Sequence, residues 1–181
     1  MAKLDIITAP DPRLKVKSTP VEKVDDEVRR LMDDLLETMY AADNGVGLAA
    51  PQVRVPKRVL VIDLSHGEEV TDPMCMANPE VIWSSEEVVS SEEGCLSVPE
   101  HYAEVVRPAS VRVRYLDRDN EIRELDAEKF LAICIQHEID HLDGVLFIDH
   151  LTAIKRNMIL RKLSKMRKYT TVKPEAAAPV L

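Results

Sequence analysis

The chain has few of the features that would place it outside a reducing compartment. Its 181 residues include only three cysteines, Cys75, Cys95 and Cys134, an odd and sparse set that does not resemble a secreted disulfide framework. No apolar run approaches the roughly 18 residues of a membrane-spanning helix. The first residues, MAKLDIITAPDPR, carry acids and prolines where a signal peptide has an apolar core. We therefore expect a soluble, cytoplasmic protein.

The chain also lacks an excess of positive charge. Its 24 Lys and Arg against 32 Asp and Glu give a formal net charge of −8. This argues against nucleic-acid binding over the whole surface and leaves room only for a local basic patch. With 45% hydrophobic residues, the length suffices for one domain with its own core. We expect a single domain over residues 1–168 and a flexible tail over 169–181, where the sequence is rich in Ala and Pro.

Helical periodicity is clear in the segments at both ends of the central region. Apolar residues recur at every third and fourth position in VDDEVRRLMDDLLETMYAAD, which predicts a helix that begins at Asp25 or Asp26. A second helix is predicted over roughly 126–142 from the same periodicity. Asp126 is expected to be its N-cap and Gly144 its stop.

Strands are predicted between these two helices. The segment RVLVIDLS is a β-rich apolar run, and PEVIWSSEEVVSSEEGCLSVP alternates loosely as two short strands that lead to Cys95. The segment SVRVRYLDRDNEIREL is the clearest hairpin, with DRDN as its turn. Because helices flank a cluster of strands, we expect an α+β fold. It has mixed, largely antiparallel strands around a central HExxH helix, with an N-terminal and a C-terminal helix.

The HExxH motif lies in QHEIDHLDG, residues 136–144. On a helix, His137 and His141 are about one turn apart on one face, with Glu138 beside the first histidine. This arrangement supplies two metal ligands and a base. The alternative is an exposed polar face, but the flanking runs FLAICI and VLFI indicate a mostly buried helix, in which charged groups need partners. The sequence therefore predicts a metal site.

Two standard completions of this motif are absent. Zinc peptidases of the HExxHxxGxxH type have a third histidine where this chain has Phe147, and His150 comes three residues too late. In another type of zinc peptidase, the third ligand is a glutamate downstream of the motif. The only glutamate after Glu138 in this chain is Glu175, in the Ala- and Pro-rich tail. An endopeptidase and a non-catalytic metal-binding module remain as alternative functions. Upstream candidates for the third ligand are Cys75, Cys95, His66 and His101, with Asp and Glu residues as weaker options.

The cysteines differ in their sequence surroundings. Cys134 lies three residues before His137 and shares its helix face, but it occupies a core position, where buried thiols are common as packing. Cys75 belongs to polar loop sequence. Cys95 follows Gly94, which permits a close approach of the backbone.

Three blocks of sequence together resemble a known family. EGCLS at 93–97, GVGLAAPQ at 45–52 and HEIDH at 137–141 are similar to the three signature motifs of the bacterial peptide deformylases, in the same order. The resemblance extends over about residues 4–168. One departure is Tyr102, where many bacterial members have an arginine that borders the substrate groove. Contacts beyond the methionine subsite therefore stay open.

The resemblance implies a metal-dependent hydrolase that removes the formyl group from the N-terminal formylmethionine of nascent polypeptides and releases formate. It places the metal on Cys95, His137 and His141, with water in the fourth position. The usual metal of the family is Fe(2+), and Zn(2+), Ni(2+) or Co(2+) can replace it. The metal-bound water attacks the formyl carbon, and Glu138 acts as general base and then as general acid.

The resemblance also implies how the substrate is held. Gln52 and the backbone N–H of Leu96 donate to the oxygen that becomes negative during the reaction. The backbone at Val46 and Gly94 pairs with the extended peptide. The expected substrate-binding residues are Gly45, Val46, Gly47, Glu93, Gly94, Ile133 and Cys134, of which Val46, Ile133 and Cys134 form the methionine pocket.

A third helix is predicted over about 153–168. Its sequence, AIKRNMILRKLSKMRK, carries seven basic residues and no acid. A solvated amphipathic helix explains this composition, but a basic helix on an acidic protein also suggests an anionic partner. Because related bacterial enzymes dock a C-terminal helix on the ribosome, the resemblance implies a ribosome contact here. We expect a monomer because the sequence has no long apolar heptad seam.

Overall fold

The computed structural model of the chain describes residues 2–42, 44–65 and 71–171, with side chains as far as residue 166. The tail predicted for 169–181 lies outside the described part from residue 172 onward, and its first three residues continue the last helix. None of the described helices is long and apolar enough to cross a membrane. The helices are α1 (Asp26–Tyr40), α2 (Lys129–Leu142) and α3 (Ala153–Thr171). The strands are β1 (Gly47–Ala49), β2 (Val59–Ile62), β3 (Met74–Ser84), β4 (Val88–Cys95), β5 (Val98–Pro108), β6 (Ser110–Leu116) and β7 (Ile122–Glu128).

The strands form two antiparallel sheets. A five-stranded sheet has the order β1-β2-β3-β6-β7, and β4 and β5 pair with each other in a separate two-stranded sheet. The predicted hairpin is confirmed as β6–β7, with Leu116 opposite Ile122 next to the turn. The largely antiparallel α+β class expected from the sequence is therefore confirmed.

Strand β2 separates two hydrophobic cores. Val59 and Val61 belong to a core that they share with α1, whereas Leu60 and Ile62 point to the other face and belong to a core that they share with α2. Because both faces of the strand are covered, its sequence VLVI is continuously apolar rather than alternating. This explains why the run could be recognised as a buried strand without a period of two.

A third core lies under the β4–β5 hairpin. Val98 and Val105 of β5 pack there with Phe147 and Ile148, which follow α2, and with Leu163 of α3. Helix α2 itself packs against β1, β2, β5, β6 and β7. It is therefore packed against strands on several sides.

The start of α2 differs from the prediction. Strand β7 continues to Glu128, and Asp126 lies in this strand, opposite Arg112, rather than at a helix N-terminus. The helix begins at Lys129, which has a positive φ of 54°. Strand alternation continues through ELDAE and places the side chain of Ala127 in the core. These residues therefore pair with β6 instead of forming the first turn of the helix.

Other helix ends follow the predicted signals. The Asp25 side chain accepts hydrogen bonds from the backbone N–H groups of Glu27 and Val28, both at 3.1 Å, and so caps α1. Beyond α2, Gly144 has a φ of +74°, and a Cβ there would lie 2.6 Å from the carbonyl oxygen of Lys15. Both the backbone conformation and the close approach therefore require glycine at this stop.

Candidate metal centre

Helix α2 presents both histidines of the motif inside the molecule. The rings of His137 and His141 have centroids 5.1 Å apart, and the two residues are 9% and 1% exposed. Glu138, between them in sequence, is 5% exposed. Three ionisable side chains on one helix are thus removed from water, which requires compensating partners.

The third donor arrives at the end of β4. Sγ of Cys95 lies 3.2 Å from Nε2 of His141, and donor atoms of Cys95, His137 and His141 all lie within 4.8 Å of one another. Two ligands of a tetrahedral zinc-like site, at ordinary metal–sulfur and metal–nitrogen lengths, would be about 3.6 Å apart. Within the described part of the chain, the other upstream candidates Cys75 and His101 do not join this group. His66 lies outside the described residues.

A buried carboxylate orients the first histidine. Oε2 of Glu93 lies 2.9 Å from Nδ1 of His137, which leaves Nε2 of that ring for the donor group. The same carboxylate accepts hydrogen bonds of 2.6 and 3.0 Å from Arg107. Burial disfavours ionisation of Glu93, but these two partners outweigh it and lower the pKa of Glu93 to about 2. Such a carboxylate–histidine pair is the usual support of a metal ligand.

The network of hydrogen-bonded side chains continues beyond Glu93, away from the metal-ligand group. Nη1 of Arg107 donates to Asp140 at 2.9 Å, and Nε2 of His150 lies 2.8 Å from the same carboxylate oxygen. The sequence reasoning missed Arg107 and did not use Asp140 or His150 as site residues. No spacing signal connects them, because Arg107 lies at the end of β5, a strand that was not predicted. The one available hint was that Asp140, on a buried helix, needed a cation.

Glu138 faces the chain that follows α1. A Cβ on Gly47 would lie 2.5 Å from Oε1 of Glu138, so only glycine leaves space for this carboxylate. Its Oε2 is buried and has no hydrogen-bond partner among the described residues. Burial raises the pKa of Glu138 to about 7. A carboxylate with these properties can take up and release a proton near neutral pH.

Gln52 is held with its amide nitrogen toward the centre. Its Oε1 accepts the backbone N–H of Ala49 at 2.9 Å, and its Nε2 donates to Oγ of Ser97 at 3.1 Å. Nε2 also lies 3.7 Å from Sγ of Cys95. Because the backbone donor can pair only with the amide oxygen, the orientation of the amide is fixed by its partners. Leu96, whose N–H was predicted as a second donor, follows Cys95 directly.

A cavity of about 600 Å³ opens onto this centre. Ile133 and Cys134 of α2 form part of its wall, and burial raises the pKa of Cys134 to about 12, so this thiol stays protonated. Every predicted site residue except His141 lies in the lining, which also contains Tyr102 and Phe130. The predicted residues in the lining are Gly45, Val46, Gly47, Gln52, Glu93, Gly94, Cys95, Leu96, Ile133, Cys134, His137 and Glu138.

The charges around the two histidines suit a bound cation. Burial lowers the pKa of His141 well below 6.5, which favours the neutral ring that a metal ligand requires. For His137, burial acts in the same direction, but hydrogen bonds to Cys95 and Glu93 raise its pKa well above 6.5. A bound cation would replace the proton of His137 in balancing the negative charge of Glu93. The donor set and its electrostatics therefore fit a divalent metal ion.

Comparison with known proteins gives a consistent result. A family model described as "Polypeptide deformylase" matches residues 3–157. The chain is 56% identical over 168 residues to the peptide deformylase of Phenylobacterium zucineum, which covers 93% of this chain and 99% of that protein. It is 54% identical over 175 residues to the one of Methylocella silvestris, covering 95% and 89%. A crystal structure of peptide deformylase from Ehrlichia chaffeensis in complex with actinonin has a TM-score of 0.88 and 43% identity, covering 93% of this chain and 99% of that chain.

Proposed function

The chain belongs to the polypeptide deformylase family, and on this premise we propose a role for each residue of its metal centre. It is a metal-dependent hydrolase that removes the formyl group from the N-terminal formylmethionine of peptides. Hydrolysis adds water across the formyl amide and gives formate and a free amine. The observation that carries the assignment of roles is the meeting of Cys95 with His137 and His141, of which Cys95 and His137 line the cavity.

Cys95, His137 and His141 would hold the divalent metal ion. When bound, such an ion lowers the pKa of a coordinated water and so supplies hydroxide near neutrality. One thiolate and two imidazoles suit Fe(2+), Zn(2+), Ni(2+) and Co(2+), and we infer Fe(2+) as the native ion from the family resemblance. Elemental analysis of anaerobically purified protein tests this choice.

Glu138 would carry the proton. It takes a proton from the attacking water and returns it to the nitrogen of the leaving amine. Its pKa of about 7 suits both roles, because a much stronger acid would be too weak a base to take up the proton and a much weaker acid would not release it. The absence of a Cβ on Gly47 leaves the room that this carboxylate occupies.

Gln52 and the N–H of Leu96 would stabilise the negative oxygen of the tetrahedral intermediate. The Gln52 amide is already oriented by Ala49 and Ser97 before substrate arrives. Such preorganised donors need no rearrangement at the moment of reaction, and one of them is typically worth about 3 kcal/mol.

The methionine side chain would enter the apolar part of the cavity at Val46, Ile133 and Cys134. The carbonyl oxygen of Val46 accepts the N–H of Asp63 at 2.9 Å, so we assign the pairing with the peptide backbone to the N–H of Val46. Gly94 offers a second backbone contact from β4. The carboxylate of Glu93 is occupied by His137 and Arg107, so its contact with substrate would be through the backbone.

Formate release from formyl-Met-Ala-Ser by anaerobically purified protein tests these roles. We expect turnover by the wild type and a loss of about 10²–10⁴-fold in kcat for Glu138→Ala, with the metal retained. Unblocked peptides of the same sequence serve as a control for endopeptidase activity and should stay intact. Full activity of Glu138→Ala would contradict its role as proton carrier.

We further propose that α3 contacts the ribosome. Its exposed side chains combine basic residues, Lys155, Arg161 and Lys162, with apolar Ile154 and Met158, which are 75% and 54% exposed. A basic surface with exposed apolar side chains fits the phosphate backbone and grooves of ribosomal RNA. Reversing these three charges should weaken co-sedimentation with ribosomes in a salt-dependent way, and unchanged binding would contradict the contact. Arg156 is not included among these charges, because its Nη1 lies 3.8 Å from Oδ1 of Asp149, which already balances it.

Residues 1–168 would act as one domain and as a monomer in the cytoplasm, where nascent chains emerge. The packing of α2 against strands of both sheets supports the single domain. Sedimentation velocity of the metal-loaded protein tests the monomeric state, and a concentration-dependent dimer would contradict it.

A further inference from the structure

A second cavity lies next to the metal-site cavity and shares part of its wall. It has a volume of about 420 Å³ and lies between the β4–β5 hairpin and α3. Glu100 and His101 line both cavities, and on the far side the lining consists of Lys162, Lys165 and Met166. A chain leaving the first cavity past Glu100 and His101 therefore enters the second.

The shared wall is formed by an irregularity of β5. The register pairs Cys95 with Val98 and then Gly94 with Tyr102, so the three residues between Val98 and Tyr102 have no partner on β4. Glu100, in the middle of this bulge, has a φ of 62°, which is unusual for a residue with a side chain. Bulges of this kind redirect side chains and are frequent beside active sites. Here the bulge places Glu100 and His101 between the two cavities.

The two cavities differ in charge. None of the described residues that line the metal-site cavity is Lys or Arg, and its exposed charged side chains are Glu92 and Glu100. The second cavity has two exposed lysines against the single carboxylate of Glu100. Away from the metal ligands, the exposed charges of the metal-site cavity therefore disfavour a negative side chain, whereas those beyond the bulge favour one.

We propose that the substrate peptide leaves the metal-site cavity past Glu100 and His101, and that Lys162 and Lys165 bind an acidic side chain downstream of the formylmethionine. This inference rests on the proposed function, because it assumes that the first cavity holds the formylmethionyl end. It assigns to α3 a part in substrate selection in addition to the ribosome contact. It also predicts that a negative side chain is disfavoured next to the formylmethionine and favoured farther along the peptide.

A peptide series tests the reversal. The parent is formyl-Met-Ala-Ser-Ala-Ala-Ala-Ala with an amidated C-terminus, which removes a competing carboxylate. One Asp or one Lys replaces each position in turn from the second onward, and kcat/KM for formate release is measured for each peptide. Because an extended chain advances about 3.4 Å per residue, the series scans the groove in even steps.

We expect the Asp-to-Lys ratio of kcat/KM to lie below one next to the methionine. At one downstream position this ratio should rise to about five, which corresponds to the free energy of two exposed ion pairs. High salt should flatten both effects, since exposed charges are screened.

Lys162→Glu/Lys165→Glu should invert the downstream preference. The matched control, Lys155→Glu/Arg161→Glu, makes the same charge change on exposed positions of α3 that line neither cavity, and should keep the wild-type profile.

Each remaining outcome contradicts a defined statement. If the wild type releases formate from formyl-Met-Ala-Ser but the downstream ratio stays near one, this inference is wrong and the proposed function stands. Equal changes in both double variants would show a general field effect of the helix and would also overturn it. No formate from formyl-Met-Ala-Ser would overturn the proposed function and this inference together.

Discussion

The carboxylate of Glu93 joins His137 to Arg107, with Oε2 2.9 Å from Nδ1 of the histidine and Oε1 2.6 Å from Nε of the arginine. All three side chains are buried. One carboxylate from β4 therefore fixes the ring of a predicted metal ligand on α2 and neutralises a guanidinium on β5. The prediction that follows most directly concerns the loss of its charge.

Glu93→Gln keeps the shape of this side chain but removes the buried negative charge beside Arg107, which keeps only the partly exposed Asp140 as a counter-ion. We expect the free energy of unfolding to fall by about 3 kcal/mol, the lower end of the cost of breaking a buried ion pair. Metal affinity should fall about 10-fold, as is typical when the support of a ligand histidine is altered. Denaturant unfolding and metal competition measure the two effects. Asp140→Asn, at the more exposed end of the same network, where the side chain is 23% exposed, should cost clearly less, and an equal cost would contradict this account.

Gly47→Ala tests the space reserved for Glu138. A Cβ would lie 2.5 Å from Oε1 of this carboxylate, so the side chain must move. A displacement of about 1 Å in a catalytic group costs on the order of 10²-fold, and we expect that loss in kcat/KM with metal content unchanged. Gly45→Ala is the matched control, because its Cβ would meet the backbone oxygen of Met39 at 2.6 Å and not the carboxylate. It should lower the unfolding free energy more than it lowers turnover per folded molecule.

Gln52→Glu replaces the oriented amide donor by a carboxylate of the same shape. We expect kcat to fall about 10²–10³-fold, since a donor to the developing oxyanion is lost. Ser97→Ala removes only the hydroxyl that accepts a hydrogen bond from Nε2 of Gln52 at 3.1 Å. Its effect on kcat should be several-fold smaller than that of Gln52→Glu. Steady-state formate release measures both variants. A larger effect for Ser97→Ala would mean that Gln52 is not the donor.

Stability toward acid depends on Asp63, a fully buried carboxylate at the end of β2. Burial would raise its pKa, but hydrogen bonds from Ser65 and from Oη of Tyr40 outweigh burial and lower the pKa of Asp63 below 3.8. A lowered folded-state pKa contributes stability that is present above pH 3.8 and is lost as pH falls through the folded-state value. Asp63→Asn should therefore cost about 1–3 kcal/mol at neutral pH, because buried partners lose a charged acceptor.

This cost should shrink as the pH falls below 3.8, because the wild type then loses the same contribution. Urea unfolding of both proteins across that range measures the difference. Tyr40→Phe serves as the matched control, since it removes one hydrogen bond and keeps the carboxylate. A difference between wild type and Asp63→Asn that does not vary with pH would contradict the assignment.

Metal removal provides a further test of the ligand set. A ligand that binds only the folded state at 1,000 times its Kd raises the unfolding free energy by about 4 kcal/mol. We expect this increment for the wild type when metal is returned to the chelated protein under anaerobic conditions. Cys95→Ala should show little of it, because one of three donors is missing. A full increment in this variant would exclude Cys95 as a ligand.

The two histidines and Glu138 could be predicted from their spacing alone, because a helix brings residues four apart onto one face. Cys95 could be named only as one of several upstream candidates, because it lies on a strand far from the histidines in the sequence. The resemblance of EGCLS to a known motif then singled it out. Arg107 was missed for the same reason and because no motif contains it. The start of α2 was misplaced because ELDAE satisfies strand alternation as well as helix periodicity, and only pairing with β6 decides between them.

The separation of the β4–β5 hairpin from the larger sheet has a consequence for the dynamics of the protein. The hairpin belongs to the core of Val98 and Phe147, whereas α2 contributes to the core of Leu60 and Ile135. The metal ligands come from both sides of this division, with Cys95 and His141 46 positions apart in the chain. A bound ion would therefore link two parts of the molecule that have separate hydrophobic cores, and such parts can open as separate cooperative units. Hydrogen exchange in β4 and β5 should report metal occupancy, with sub-global opening of the hairpin in the metal-free protein and protection close to that of α2 once metal is bound.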